Sequence, residues 1–410
     1  MEKVNVLHQD TTDTAIKWQL VLVLFAVVMA FGSCCDDSLS GPTPTPTQNK
    51  ASMITDKDKL AMLYSMVDLE GDKGRIYEIN YTVDYLLDKA LNFNIDCTDK
   101  LTQFVAVNLL DTIPPSRSTS LSYDAGCSAF AAPDKTTGDF IMGRNYDFNH
   151  FDSDSNRVMI PLIVVHTAPK GGKKSVSFVD GLFVKYQSGF YTDGKSDLSM
   201  LMALPYLLLD GINEDGFAIS VLKLDSLPTK QQNPDKKTIF TTVAMRMLLD
   251  KASTVKEAVQ MLKDYNMCMD KDPRASYHFF MADATGDYAI VEYTYSDSNK
   301  NPDNMEILTG HDTLRCVTNF YVSPTMQQSK LGGGSLHGRS RYNSLREGLA
   351  ALNYNVTPSQ ALSLLQTVAQ GEESRESTGF TQWSEIYNLS KRSVTMNILR
   401  EWGKTFTFEP

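Results

Sequence analysis

The chain has 410 residues, 42% of them hydrophobic and 10% aromatic, which suits one large or two ordinary globular domains. Its formal net charge is −10, and no basic patch offsets that balance, so a nucleic-acid partner is excluded as a leading reading. The short basic run 170–174 reads as solvated loop charge.

In chain order, the first feature is an apolar run at 18–31, too short to span a membrane comfortably. Lys17 precedes it and Gly32-Ser33-Cys34-Cys35 ends it. Small residues followed by Cys resemble a bacterial lipoprotein cleavage site, which makes 1–33 a signal peptide and Cys34 the lipidated residue, with Cys35 as the alternative. Asp36-Asp37 resemble an acidic tag for export to the outer surface. The expected location is the cell envelope of a Gram-negative bacterium, lipid-anchored at the outer membrane and surface-exposed. An uncleaved signal anchor is the competing reading. Residues 34–56 form a tether, in which Pro42, Pro44 and Pro46 alternate with Thr and favour an extended chain.

Residues 57–126 read mainly as helix. Apolar residues recur at helical spacing over 81–91 and 96–110, including Leu101, Val105 and Leu109. Pro114-Pro115 closes the second helix, and the polar stretch 116–122 leads on as a loop. Gly126-Cys127-Ser128-Ala129-Phe130 then opens a strand-like run. Asp134-Lys135-Thr136-Thr137-Gly138 reads as a hairpin turn and 139–143 as the return strand. Arg144 and Asp147 are expected just past that strand, both aimed back at the Cys127 sulfur. The plain alternative is a buried cysteine in an ordinary hairpin with a surface ion pair.

Beyond Cys127 the pattern turns to strands, at 158–165, 218–221, 277–282, 288–293 and 394–399, all rich in β-branched and aromatic residues. Thr254 with Glu257 marks a capping box for a helix to about 262, and Thr357-Pro358 opens another through 365. Strands and helices in blocks predict an α+β layer architecture.

Cysteine and histidine usage excludes other chemistries. Setting aside Cys34, Cys35 and Cys127 leaves Cys97, Cys268 and Cys316, too few and too odd a number for a disulfide scaffold. No Cys-x-x-Cys pair occurs, and the six histidines show no paired-ligand spacing, so no metal and no cofactor is expected. Gly332-Gly333-Gly334-Ser335 is no phosphate loop, since no Gly-Lys-Ser/Thr follows. Asp210-Gly211-Ile212-Asn213-Glu214-Asp215-Gly216 is a turn with Asn213 at its tip, Thr318-Asn319 leaves a short apolar stretch, and Ser340-Arg341-Tyr342 follows the glycine run.

Taken in order, these pieces resemble the choloylglycine hydrolase and penicillin V acylase family of N-terminal-nucleophile hydrolases, over essentially all of 127–410. The strongest carriers are Cys127-x-x-Phe130 and Gly143-Arg144-Asn145-Tyr146-Asp147-Phe148. Supporting ones are the 210–216 turn, His278 to Glu292, Thr318-Asn319, Ser340-Arg341-Tyr342 and Thr381-Gln382-Trp383-Ser384. The long segment before Cys127 is similar to the propiece of acid ceramidase-like amidases and isopenicillin N acyltransferases. The resemblance implies a four-layer αββα sandwich, with 57–126 as propiece and 127–410 as catalytic domain. It implies Cys127 as nucleophile, exposed by cleavage after Gly126, with Arg144 and Asp147 beside it. Asn213 would supply a backbone N–H to the oxyanion hole and Asn319 its side-chain amide. Arg341 would lie near the sulfur, with Arg339 as the fallback register. The implied substrate is a small N-acyl amide: a fatty-acyl amide, conjugated bile acid or penicillin V-like compound. An acyltransferase, or a silent binding lipoprotein, is the alternative. A small-subunit and large-subunit pair, and a homo-oligomer, are further partner expectations.

Overall fold

A computed structural model of the chain describes residues 49–112, 125–151, 156–226, 228–269, 276–295, 304–311, 315–328, 337–371 and 379–410. The expected signal peptide, Cys34, most of the tether, Pro114-Pro115 and its following loop, and the glycine run 332–334 lie outside the described residues. No helix among the described residues is long and apolar enough to cross a membrane.

Helix α1 (Lys57–Leu63) starts at Asp56, whose side chain accepts from the N–H groups of Asp58 and Lys59. Strands β1 (Val67–Asp68) and β2 (Ile76–Tyr81) follow, then helices α2 (Leu87–Asn92) and α3 (Thr98–Asn108). The β3 (Ala125–Pro133) and β4 (Phe140–Phe148) hairpin carries Cys127. Next come β5 (Leu162–Thr167), β6 (Ser175–Asp180), three 3₁₀ turns ending at Tyr206, β7 (Asp210–Asn213), β8 (Ala218–Leu224) and β9 (Lys237–Phe240). Helices α4 (Thr241–Lys251) and α5 (Val255–Lys263) lead to β10 (Tyr265–Cys268), β11 (Ser276–Ala282), β12 (Tyr288–Thr294), β13 (Asn304–Leu308) and β14 (Cys316–Val317). Helices α6 (Pro324–Gln328), α7 (Arg339–Ala351) and α8 (Pro358–Val368) precede β15 (Phe380–Asn388), β16 (Ser393–Ile398) and β17 (Phe406–Phe408).

Two large sheets result. One runs β1-β2-β5-β6-β7-β8-β11-β12-β13, and the other β14-β3-β4-β15-β16-β17. Strand periodicity explains how they stack. In β5, Ile163 and Val165 join a core shared with the helices α1 to α5, whereas Leu162 and Val164 join a second core shared with the six-stranded sheet. Helices α7 and α8 close that second core from the far side, through Leu345, Leu349, Leu364 and Leu365. The chain is therefore an αββα sandwich, as the motifs implied. Because each sheet is covered on both sides, β4 and β12 are buried on both faces, so the polar residues within them, Arg144, Asn145, Asp147 and Glu292, are buried too.

Both helix caps read from sequence are present. Thr357 and Gln360 form a reciprocal capping box on α8. Thr254 Oγ1 accepts the Glu257 N–H at 3.2 Å, while the Glu257 carboxylate reaches back to Ser253 N rather than to Thr254 N.

Two expectations need correction. The segment 57–126 is not mainly helical: β2 lies inside the nine-stranded sheet, paired in parallel with β5 from Ile76↔Leu162 to Tyr81↔Thr167. Tyr77, Ile79 and Tyr81 alternate at strand spacing, and their side of β2 packs in the same core as Ile163 and Val165 of β5. Arg144 and Asp147 also lie within β4 rather than beyond it, because the strand runs on to Phe148.

Candidate active site

Cys127 is second to Gly126 in the β3 ladder, opposite Tyr146, while Gly126 stands opposite Asp147 and Ala129 opposite Arg144. Cross-strand partners share a face, so alternation sends the Cys127 and Arg144 side chains to one face and Asp147 to the other. This corrects the expectation that both charged groups aim at the sulfur. Arg144 and Asp147 are three residues apart, an odd number, and the pleat separates them.

On the inter-sheet face the Cys127 side chain is 2% exposed and the Arg144 guanidinium is fully buried against it. Arg144 Nη2 donates to the Val221 carbonyl at 3.1 Å, Nη1 donates to the Asn145 carbonyl, and Nε lies 3.3 Å from Asp210 Oδ2. Burial disfavours the Arg144 charge, but the Cys127 sulfur, Asp210 and Glu385 outweigh it and raise its pKa. Behind it, β7 and β15 bring the buried carboxyls of Asp210 and Glu385 together. Burial pushes Asp210 up to about 6 despite Arg144, and burial with the Asp210 charge holds Glu385 far above the carboxylate range. By contrast, burial pushes the thiol of Cys316, on the neighbouring strand, up to about 12, out of reach of neutral-pH chemistry.

On the helix-facing side, Asp147 Oδ1 accepts from Thr381 Oγ1 at 2.6 Å and Oδ2 from Gln370 Nε2 at 3.0 Å. Register slips in β15 between Thr381 and Trp383, and this bulge leaves Thr381 opposite Asp147. Arg341, on the first turn of α7, donates through Nη1 to the Cys127 carbonyl and, at 2.9 Å, to Ser128 Oγ. Its Nη2 donates to Asn319 Oδ1 at 2.8 Å, and Nη1 stands 3.8 Å from Asp147 Oδ2. Asn319 Oδ1 also accepts the Cys127 backbone N–H at 2.7 Å, while Asn319 Nδ2 donates to the Lys223 carbonyl at 2.9 Å.

Arg144, Asp147, Asn319 and Arg341 thus gather around the Gly126–Cys127 segment: Arg144 at the sulfur, Asn319 at the Cys127 nitrogen, Arg341 at the Cys127 carbonyl and Asp147 opposite Gly126. Arg341, not Arg339, holds this place, since Arg339 stacks over the Phe320 ring at 3.8 Å. Asn213 does not join them. Its N–H donates to the Phe217 carbonyl at 3.0 Å, and its Nδ2 donates to the carbonyls of Leu249 and Ala252 at the end of α4. It sits at the β7–β8 turn, six residues of strand and roughly 20 Å from Lys223, whose carbonyl touches the site. Its role is to tie that hairpin to α4.

Several site residues went unread in the sequence. Thr381 lies in a segment quoted for its resemblance, and Glu385 carries a signal of its own, a carboxylate alternating with Trp383 and Tyr387 on the buried face of a strand. Gln370 and the Lys223 carbonyl have no local signal. Among the described residues, no group of three His, Cys, Asp or Glu side chains is placed to hold a metal ion.

Residues 133–398, more than half of the chain, match the family described as acyl-coenzyme A:6-aminopenicillanic acid acyl-transferase. The chain belongs to that family. The matched span takes in Arg144, Asp147, Asn319 and Arg341 and begins shortly after Cys127. Membership agrees with the resemblance read from the motifs, and by class the chain is an N-terminal-nucleophile amidohydrolase or acyltransferase. No curated protein sequence matches it. Among solved structures it is similar to penicillin V acylase from Agrobacterium tumefaciens, at 16% identity over 69% of this chain and 86% of that one, with a TM-score of 0.45. It is also similar to a mutant of conjugated bile acid hydrolase from Clostridium perfringens, at 15% identity over 69% and 92% of the two chains, with a TM-score of 0.44.

Proposed function

We propose that this protein is a cysteine amidohydrolase that severs its own backbone between Gly126 and Cys127 and then hydrolyses the linear amide of an N-acyl compound. The observation that carries this reading is the Cys127 nitrogen, bonded to Asn319 Oδ1 at 2.7 Å with the Asp147 carboxylate packed against the preceding Gly126. A nitrogen so placed is equipped to become a held α-amine.

In self-cleavage the Cys127 thiol attacks the Gly126 carbonyl, and the C–N bond breaks to leave a thioester and a free Cys127 amine. Water then opens the thioester, giving the Gly126 carboxylate and restoring the thiol. A free α-amine titrates near pKa ~7.7–8 and a thiol near about 8.5, so the amine can take the thiol proton at working pH. Arg144 favours the thiolate, and Asp147 orients the amine. The thiolate attacks the substrate carbonyl. One hydrogen of Asn319 Nδ2 is held by Lys223, and the second serves the developing oxyanion. Such a donor is typically worth about 3–4 kcal/mol in the transition state. The leaving amine takes its proton from the Cys127 ammonium, and water releases the acid from the acyl-thioester.

The substrate read here has a hydrophobic acyl group on a linear amide: a fatty-acyl amide, conjugated bile acid or penicillin V-like compound. Acyl transfer to an amine is the second reading, favoured by the family description, and added acceptor amines that give a transfer product separate it from hydrolysis. We place the protein on the outer membrane through a lipid at Cys34, for which the sequence of 18–37 is the support. The test of self-cleavage is intact-mass analysis and N-terminal sequencing. Wild type should give a fragment beginning at Cys127, and Cys127→Ala should stay whole. Active material with residue 127 still internal overturns the mechanism.

A further inference from the structure

His278 on β11 and Glu292 on β12 are fully buried outside the reacting groups, and their side chains meet at 3.0 Å between Nδ1 and Oε1. They are cross-strand partners by continuation of the Phe279↔Val291 register. What they hold is the loop after β14. His278 Nε2 donates to the Thr318 carbonyl at 2.7 Å, while Glu292 Oε1 accepts from Val322 N and Oε2 from Ser323 N, both at 2.9 Å. These three contacts bracket Asn319, one residue before it and three and four after.

Hydrogen-bond logic fixes the protonation pattern. A carbonyl only accepts, so His278 Nε2 carries a proton. Both Glu292 oxygens accept backbone N–H groups, and one further proton lies between Oε1 and Nδ1. The pair is thus neutral as a whole, which makes its burial tolerable, and every polar atom in it is used. A loop of six residues between a two-residue strand and a short helix has little regular structure to fix it, so these three bonds hold its backbone, beside the Thr318 hydroxyl bond to the Gly338 carbonyl, while Cys127, Arg341 and Lys223 hold the Asn319 amide.

We infer that His278 and Glu292 are positioning residues for Asn319, holding the backbone that presents its amide to the Cys127 nitrogen and the oxyanion site. This rests on the reading of Asn319 as an oxyanion donor. Displacement of a reacting group by about 1 Å costs up to about 100-fold in rate.

The test compares Glu292→Gln and His278→Gln with wild type in self-cleavage, in turnover of an N-acyl amide panel, and in hydrogen exchange of residues 316–323. Glu292→Gln replaces one acceptor oxygen with a donor facing a backbone N–H. It should raise exchange across 316–323 and lower kcat about 10- to 100-fold, with KM within threefold. His278→Gln still offers an amide N–H to the Thr318 carbonyl and should show both effects in smaller measure. Its expected higher stability also keeps the test open should Glu292→Gln fail to fold. Unchanged kcat in folded variants, or a lower melting temperature with unchanged exchange at 316–323, overturns the inference and makes the pair a core contact. A wild type with no turnover and no processing overturns the reading of the site instead, and the exchange result still decides whether the pair fixes the loop.

Discussion

Gly126 faces Asp147 across the β3–β4 ladder, and the space where a Cβ would go is already filled. An added methyl would collide with Gln370 Nε2 and stand 3.1 Å from the Asp147 Cβ. The backbone here is ordinary for any residue, so what requires glycine is packing against the proposed scissile bond, not a left-handed conformation. Gln370 is buried and held from two sides, its N–H donating to Thr381 Oγ1 at 2.7 Å and its amide to Asp147, and it has nowhere to retreat. Gly126→Ala should therefore push Gln370 off Asp147 and move the carbonyl that Cys127 must attack. We expect self-cleavage at least about 10-fold slower by intact-mass time course, since a 1 Å displacement costs that much or more. Gln370→Ala in the same chain should return part of the rate by opening room. A Gly126→Ala chain that processes at the wild-type rate would remove the steric argument.

At the scale of elements, β7 and β15 belong to different sheets, yet they place Asp210 and Glu385 together behind Arg144. Facing this pair are Arg144 from β4 and Trp383 and Tyr387 from β15, and the Tyr387 hydroxyl is itself driven upward by burial. A raised carboxyl pKa means that the folded protein binds a proton that the unfolded chain has released. For Asp210 this window runs from 3.8 to about 6, and stability falls as pH rises through it; Glu385 continues the fall to higher pH. The slope is at most about 1.4 kcal/mol per pH unit for each such proton. Glu385→Gln keeps the shape and a donor but removes the proton, so its melting temperature should match wild type near pH 4 and exceed it increasingly toward pH 8. A difference that stays flat with pH, measured by calorimetry, would contradict this. The same strands show what was legible beforehand. Cys127, Arg144, Asp147, Asn319 and Arg341 stand in local motifs, and the structure brings all five to one place. Asn213 also stands in a motif, yet the motif describes a turn, and which end of β8 faces Cys127 depends on how two sheets stack. Asp210 and Glu385 meet only through that stacking, and Gln370 reaches Asp147 only because α8 ends beside the β15 bulge.

Over the whole molecule, the question is what becomes of residues 49–126 once the bond before Cys127 is broken. The sequence suggests a small subunit paired with a large one, and the packing of this segment is what would hold such a pair together. Strand β2 is hydrogen-bonded along its length to β5, so its departure would strip a sheet of one edge and open a core. Tyr77 packs edge-on against Phe190, Tyr85 and Phe104 against Tyr206, and the Tyr81 hydroxyl donates to the Met202 carbonyl. Side chains of this size are worth about 1.5–3 kcal/mol each when buried. A second tie joins the segment to the far end of the chain. Arg75 Nε and Nη2 grip Glu70, its Nη1 reaches Glu401 at 2.6 Å, and Lys404 reaches the same Glu70 at 2.5 Å. Hydrogen bonding from Arg75 holds Glu70 down to about 2, against the opposing effect of burial, so this tie is fully present above the usual carboxylate range near 4.5 and is lost only as pH falls toward 2. Processed protein should therefore run as two bands on a denaturing gel and elute as one species in native size-exclusion chromatography, at neutral pH and in 1 M salt alike. Salt screens the exposed part of the ion cluster but leaves the β2–β5 ladder and the aromatic contacts intact. Elution of the Cys127 fragment alone, still folded and active, would mean that the nine-stranded sheet closes without its N-terminal strand.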